Sequence, residues 1–111
     1  MKERKERIKL TEASVTKARR NYEGKGEVFV RDTDIKGLHL RLRGNNAGYF
    51  LSYRIGDIDR RVKIGDADAI TPDMARNGYK DPNTGLQVSG AKQLHGLVAQ
   101  GIDPAAEIEK R

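Results

Sequence analysis

Alternating apolar and polar residues dominate the middle of the chain. Residues 38–43, 49–55 and 60–64 each place apolar side chains on one face and mostly polar ones on the other, which is the period of a half-buried β-strand. Gly, Asn and Asp fill the two connections between these segments, and they favour hairpin turns. The pattern therefore predicts a three-stranded antiparallel β-sheet, with residues 27–31 as an additional edge strand.

Apolar residues at helical offsets flank the predicted sheet on both sides. Thr11 can cap a short N-terminal helix, and Thr71-Pro72 begins another helical turn. Residues 91–98 predict a C-terminal helix that ends before Gly101. We therefore expect an α+β domain in which a short N-terminal helix and a C-terminal helix pack on the apolar sheet face. The predicted core consists of Leu38, Leu40, Leu42, Leu51, Tyr53, Ile55, Val62 and Ile64 against Val15, Ala18, Leu94, Leu97 and Val98.

The length of 111 residues allows one domain. Residues 1–9 have mixed charge and no core-forming pattern, which predicts a flexible charged arm. The domain is expected to span residues 10–104, and the turn-forming residues of 77–90 predict a mobile loop insertion within it. Asp103-Pro104 can start another helix, and residues 105–111 are interpreted as the start of a linker.

Composition excludes several kinds of site. The absence of cysteine rules out disulfides, thiolate zinc sites and cysteine nucleophiles. The two histidines, His39 and His95, have neither a suitable carboxylate cluster nor a nucleophile at a recognisable spacing, so we expect no metal, no cofactor and no catalytic residue. No apolar run approaches membrane length, and the charged start cannot be a signal peptide. We expect a cytoplasmic protein without membrane contact.

The positive charge lies in the first part of the chain, which includes the predicted sheet. The net charge is +6, with +5 in residues 1–25, +3 in residues 26–65 and −2 in residues 66–111. The polar face of the three strands combines five cations with no carboxylate, and like charges on neighbouring strands repel unless a polyanion offsets them. A solvated face whose charge protects against aggregation is the alternative. The candidate DNA-binding residues are His39, Arg41, Arg43, Ser52, Arg54, Arg61 and Lys63, with Asn45 and Asn46 in the connecting turn.

Duplex DNA is favoured over RNA as the partner of this face. Single-stranded RNA modules stack bases on sheet aromatics, and Phe50 is the one aromatic that the three strands place on the basic face. Arginine reads guanine edges in the DNA major groove, lysine contacts phosphate, and the neutral ring of His39 can donate to phosphate.

Short motifs in a fixed order cover nearly the whole chain. They are Leu10-Thr11, Asp32-Thr33-Asp34-Ile35-Lys36-Gly37-Leu38, Leu40-Arg41-Leu42, Phe50, Tyr53-Arg54-Ile55, Arg60-Arg61-Val62-Lys63-Ile64-Gly65, Ile70-Thr71-Pro72, Ala75-Arg76 and residues 97–104. Together they resemble the N-terminal part of P4-like prophage and genomic-island integrases, which are tyrosine recombinases. Asn77–Gly90 departs from the family pattern, in which Ala-Arg runs almost directly into the last helix.

The resemblance implies an arm-type DNA-binding domain that recognises short repeats of a phage or genomic-island attachment site. It implies three classes of partner: double-stranded DNA, other integrase protomers and DNA-bending accessory proteins. It places the strand-cleaving machinery in a separate C-terminal domain, and none of the four tyrosines here matches a catalytic motif. Two alternatives remain open, namely a protein-interaction module for integrase multimerisation and a stand-alone excisionase-like DNA-binding regulator.

Overall fold

The computed structural model describes residues 4–109. A run of four consecutive strands follows one strand and one helix, and it precedes a segment of three helices and two short strands. In chain order the elements are β1 (Arg4–Ile8), α1 (Glu12–Asn21), β2 (Glu27–Asp32), β3 (Leu38–Arg43), β4 (Asn46–Ile55), β5 (Ile58–Asp66), α2 (Pro72–Asn77), β6 (Tyr79–Lys80), β7 (Gln87–Val88), α3 (Ala91–Ala99) and α4 (Pro104–Glu109).

The expected three-stranded antiparallel sheet with one edge strand is wrong. The structure has a five-stranded mixed sheet in the order β1-β2-β3-β4-β5, a separate two-stranded sheet, and several short helices. β1 pairs parallel to β2, with α1 crossing between them, so β2 lies inside the sheet. Residues 4–8 were expected to belong to a charged arm because RKERI has no apolar alternation. Their strand pairing depends on the backbone of β2, which the local pattern does not reveal.

The antiparallel part of the sheet follows the predicted alternation. β2, β3, β4 and β5 pair antiparallel in sequence order, and the predicted apolar positions of β3, β4 and β5 all point to one face. Val15 of α1, Ala75 of α2 and Leu94 of α3 are buried in the same cluster as these strand residues. The predicted core is therefore confirmed, and the helices cover one face of the sheet.

Residues 77–90 contain more structure than a loop. β6 and β7 form a short antiparallel hairpin, with Tyr79 opposite Val88. The Tyr79 hydroxyl donates to the Ile64 carbonyl at 3.0 Å, which fastens the hairpin to β5. A Cβ on Gly90 would lie 2.3 Å from the Gly78 nitrogen, so the two ends of the segment meet closely because both are glycine. Its mobility stays a prediction.

A buried ion pair joins three parts of the fold. Asp32, at the end of β2, accepts from Arg76 of α2 at 2.9 and 3.3 Å. The same carboxylate accepts from the backbone amides of Leu10 and Ile35 at 3.0 and 3.1 Å. Burial alone would raise the pKa of Asp32, but the Arg76 guanidinium and these two amides together hold it below its ordinary value. Asp32 and Arg76 therefore fix the α1, β2 and α2 ends against one another.

A second polar cluster fastens α4 to the sheet. The Tyr53 hydroxyl donates to Asp103 at 2.5 Å, and Arg60 of β5 donates to the same carboxylate at 2.9 Å. The Ala105 amide donates to the Tyr53 oxygen at 3.2 Å. The helix start that the sequence indicates at Asp103-Pro104 is confirmed, and it is held directly on β4 and β5.

Candidate nucleic-acid interface

The second face of the five-stranded sheet carries the candidate residues. Among the described residues, the helices α1, α2 and α3 bury their apolar side chains on the opposite face, so this face lacks a helical cover. The strand register groups its outward side chains into rows that cross the sheet, and one row runs Arg7, Arg31, His39, Phe50 and Lys63. We call this surface the bare face; it consists of the outward side chains of β1 to β5.

The structure brings most of the predicted site residues together on the bare face. Arg43, Arg54, Arg61 and Lys63 are exposed there. Arg41 and Ser52 are half-buried, and Asn45 and Asn46 are exposed at the β3–β4 turn. The exception is His39, which points to this face but is only 3% exposed. Its ring is therefore covered by its neighbours in the free domain.

Three aromatic rings lie side by side at the centre of the bare face. His39 meets Phe29 edge-on at 5.6 Å between ring centroids and stacks on Phe50 at 6.0 Å. The strand pattern predicted Phe50 alone on this face, because residues 27–31 were expected to form an edge strand outside the three-stranded sheet. The parity of β2 held the missing signal: Val28 and Val30 enter the core, so Phe29 must point to the bare face. The aromatic content of this face was therefore underestimated.

His39 is held in its neutral form. Burial lowers its pKa, and the nearby charges of Arg61, Arg31 and Arg41 lower it further, although the hydrogen bond with the Gly37 carbonyl opposes them. A 2.9 Å contact to that carbonyl makes Nδ1 the protonated nitrogen. Nε2 is buried and has no partner among the described residues. The ring therefore supports the aromatic cluster from beneath, with an acceptor lone pair at Nε2.

Arginine side chains lie over these rings. The Arg61 guanidinium is 5.4 Å from the centre of Phe29 and 5.9 Å from that of Phe50. Arg41 lies 5.8 Å from the Phe50 ring on the neighbouring strand. Cation–π attraction restricts the motion of these guanidinium groups in the free domain, so less side-chain entropy is lost when a ligand binds. The two guanidinium groups are therefore preorganised on the surface.

Carboxylates at the border of the bare face pair with some of its cations. Glu27 of β2 accepts from Arg41 at 3.0 Å, and this hydrogen bond lowers the pKa of Glu27. Lys63 pairs with Asp66 at 2.5 Å. Glu27, like Phe29, lies on β2 and was therefore not included in the predicted polar face of three strands. Among the described side chains, Arg31, Arg43 and Arg61 have no carboxylate within ion-pair distance.

A groove of about 890 Å³ opens at one end of the bare face. Arg31 and the turn between β2 and β3 form one wall, the β4–β5 hairpin forms the other, and Phe29, Gly37, His39 and Ser52 line it between them. Gly37 is required there, because its φ is +90° and a Cβ would lie 2.2 Å from the Ser52 carbonyl oxygen. We call this concavity the end groove.

Metal-ligating clusters and membrane-spanning helices are not found in the described part of the chain. No group of three or more metal-ligating side chains is found within it. No helix between residues 4 and 109 is long and apolar enough to span a membrane. Cations and aromatic rings on an uncovered sheet face are the chemistry that the structure offers, and both suit a nucleic acid.

Comparison with known proteins identifies a family. No curated protein and no solved structure matches the chain. The Arm DNA-binding domain family matches residues 10–111, which is nearly the full length. The arm-type DNA-binding domain that the sequence motifs resemble is thereby confirmed. The chain belongs to the Arm DNA-binding domain family and is a DNA-binding domain.

Proposed function

We propose that this domain binds arm-type duplex sites of a phage or genomic-island attachment site, as the N-terminal domain of a site-specific integrase of the tyrosine recombinase family. One observation carries the proposal: the uncovered sheet face concentrates cations over a rigid aromatic cluster, while the helices occupy the other face. The integrase context is supported by the family match and by the order of the sequence motifs.

The two kinds of cation on the bare face suit two kinds of DNA contact. Arg41 and Arg61 are held by cation–π contacts with aromatic rings, and a fixed guanidinium suits the bidentate reading of guanine in the major groove. Lys63 and Arg43 are exposed at the border of the sheet and suit phosphate contacts. Arg54, Ser52, Asn45 and Asn46 complete the proposed surface. His39 contributes from beneath, through its support of Phe50.

Paired substitutions test the proposed surface. Lys63→Gln on the bare face and Lys92→Gln on α3 remove the same charge from two exposed positions. We expect Lys63→Gln to weaken binding to every duplex and to reduce the salt slope by about one contact, whereas Lys92→Gln should leave both unchanged. Fluorescence anisotropy on duplexes recovered by selection from a random-sequence library gives both quantities. Equal losses from the two variants would contradict the assignment.

Arg41→Ala separates base reading from simple charge. Loss of a bidentate arginine contact should reduce affinity for the selected sequence by roughly 5- to 150-fold and relax the preference at one base pair. Two measurements distinguish a multimerisation module. Such a module would self-associate in sedimentation experiments without DNA, and its DNA binding would lack the steep salt dependence in anisotropy titrations.

A further inference from the structure

We call β3, β4 and β5, which carry the proposed base contacts, the three reading strands. The end groove also has cations from other parts of the chain. Arg7 on β1, Arg31 on β2 and Lys36 in the β2–β3 turn all line it. Arg7 and Lys36 are exposed, and Arg31 is half-buried. None of the three was among the candidate residues, because the sequence pattern assigned β1 to a charged arm and β2 to an edge. They form a second positive region on the β1–β2 side of the bare face.

The width of the sheet determines what this region can meet. Neighbouring strands lie about 4.8 Å apart, so the three strands β3, β4 and β5 span roughly 10 Å, while the five strands span roughly 19 Å. The DNA major groove is about 12 Å wide. A sheet that inserts β3 to β5 into the groove fills it. β2 and β1 then lie beyond the groove edge, where the sugar-phosphate backbone runs.

The charges at that position suit phosphate. The Arg31 guanidinium has no carboxylate partner among the described side chains. The exposed carboxylates that line the end groove are partly compensated, since Asp34 pairs with Lys9 at 3.5 Å and Asp59 with Arg54 at 3.9 Å. A phosphodiester backbone therefore meets uncompensated positive charge here.

We propose that the β1–β2 side of the end groove, with Arg31, Lys36 and Arg7, binds the sugar-phosphate backbone of one DNA strand at the border of the major groove. This inference rests on the proposed function, since it takes the bare face as the DNA surface. It extends the DNA footprint from the three reading strands across the whole sheet. The end-groove contacts fix the register of the domain on the duplex and carry no sequence preference.

Charge-neutralising variants test the end groove. Arg31→Gln and Lys36→Gln should each lower the slope of log affinity against log salt by about 0.9, equally for the selected duplex and for unrelated sequences. Between about 50 and 200 mM salt, that change makes the wild-type advantage shrink roughly 3.5-fold. Arg20→Gln on α1 removes the same charge from an exposed position on the helical side and should change nothing. Circular dichroism confirms that each variant is folded.

The same contacts can be tested by neutralising the DNA phosphates instead of the protein side chains. Methylphosphonate linkages placed on the flanking phosphates of the selected duplex remove the partners of Arg31, Lys36 and Arg7 together, so wild-type binding should fall at least to the level of Arg31→Gln on ordinary DNA. Arg31→Gln should lose less affinity than the wild type on this DNA, because one of its three contacts is already absent. Full additivity of the two changes would overturn the proposal. So would a loss confined to the selected sequence, because Arg31 would then be reading bases.

Failure of the inference and failure of the proposed function give different results. If Arg31→Gln and Lys36→Gln bind like Arg20→Gln while Arg43→Gln loses affinity, the end groove does not bind the backbone and the reading face stands. If Arg43→Gln also binds like Arg20→Gln, the bare face is not the DNA surface. The end-groove proposal then fails with it.

Discussion

Replacing Asp32 with Asn should destabilise the fold strongly without touching DNA affinity. The side chain of Asp32 is 0% exposed and that of Arg76 is 7% exposed, so the substitution leaves a buried guanidinium without its counter-charge. Breaking such a pair by removal of one partner costs about 3–5 kcal/mol. The free energy of unfolding of a domain is typically about 5–15 kcal/mol, so this loss is a large fraction of the total.

Asp73→Asn is the matched control for this experiment. Asp73 contacts the same guanidinium at 3.2 Å, but its side chain is 87% exposed, and exposed ion pairs contribute at most about 1 kcal/mol. Urea denaturation followed by far-UV circular dichroism measures both variants, since the chain has no tryptophan. A cost for Asp32→Asn no larger than that for Asp73→Asn would refute the structural role. Weaker DNA binding by the folded Asp32→Asn protein would refute it as well.

The same carboxylate sets an acid limit on stability. The folded-state pKa of Asp32 is lowered, so its contribution is fully present above the unfolded value of about 3.9 and is lost as the pH falls through the folded value. The free energy of unfolding should therefore decrease below about pH 4. Asp32→Asn should remove this part of the decrease, whereas Asp73→Asn should retain it.

Three further outcomes follow from the bare face. Gly37→Ala should lower the free energy of unfolding by at least about 2 kcal/mol, since φ is +90° and the Ser52 carbonyl blocks a Cβ; urea denaturation measures it, and a neutral effect would contradict the geometry. The lowered pKa of His39 predicts stability that falls as the pH drops below about 6.5, and His39→Gln should abolish this dependence in pH-dependent melts. Glu27→Gln should raise DNA affinity roughly two- to fivefold by freeing Arg41, and unchanged anisotropy titrations would refute this.

The local pattern of apolar and polar residues predicted the strands and helices that depend on residues close together in the chain. β3, β4 and β5 alternate strictly enough that their buried faces follow from the sequence, and the helix over residues 91–99 follows from its apolar spacing. β1 does not alternate, and its pairing with β2 is a tertiary contact. The RKERI segment forms a strand because the backbone of β2 is available for pairing, and the residues within the segment do not indicate that this partner exists.

In the candidate site, too, the local pattern predicted some features, while others depend on contacts between strands. Strand parity alone placed the cations of β3, β4 and β5 on the bare face, but it did not include Arg7 of β1 or Arg31 of β2. It could not show that His39 is buried, because the rings that cover it, Phe29 and Phe50, belong to the two neighbouring strands. The family-like motif residues Asp32 and Arg76 lie in a buried ion pair on the core side. Motif membership alone therefore does not separate residues that build the fold from those that face DNA.

Amide chemical shifts during a DNA titration test the central claim most directly. Assigned ¹H–¹⁵N spectra of the domain, recorded with and without the selected duplex, report which surface changes its environment. We predict the largest shifts at Arg41, Arg61 and Lys63 on β3 and β5, together with the turn residues Asn45 and Asn46, while α1 and α3 stay unchanged. Shifts confined to α1 and α3, with the bare face unperturbed, would contradict the account.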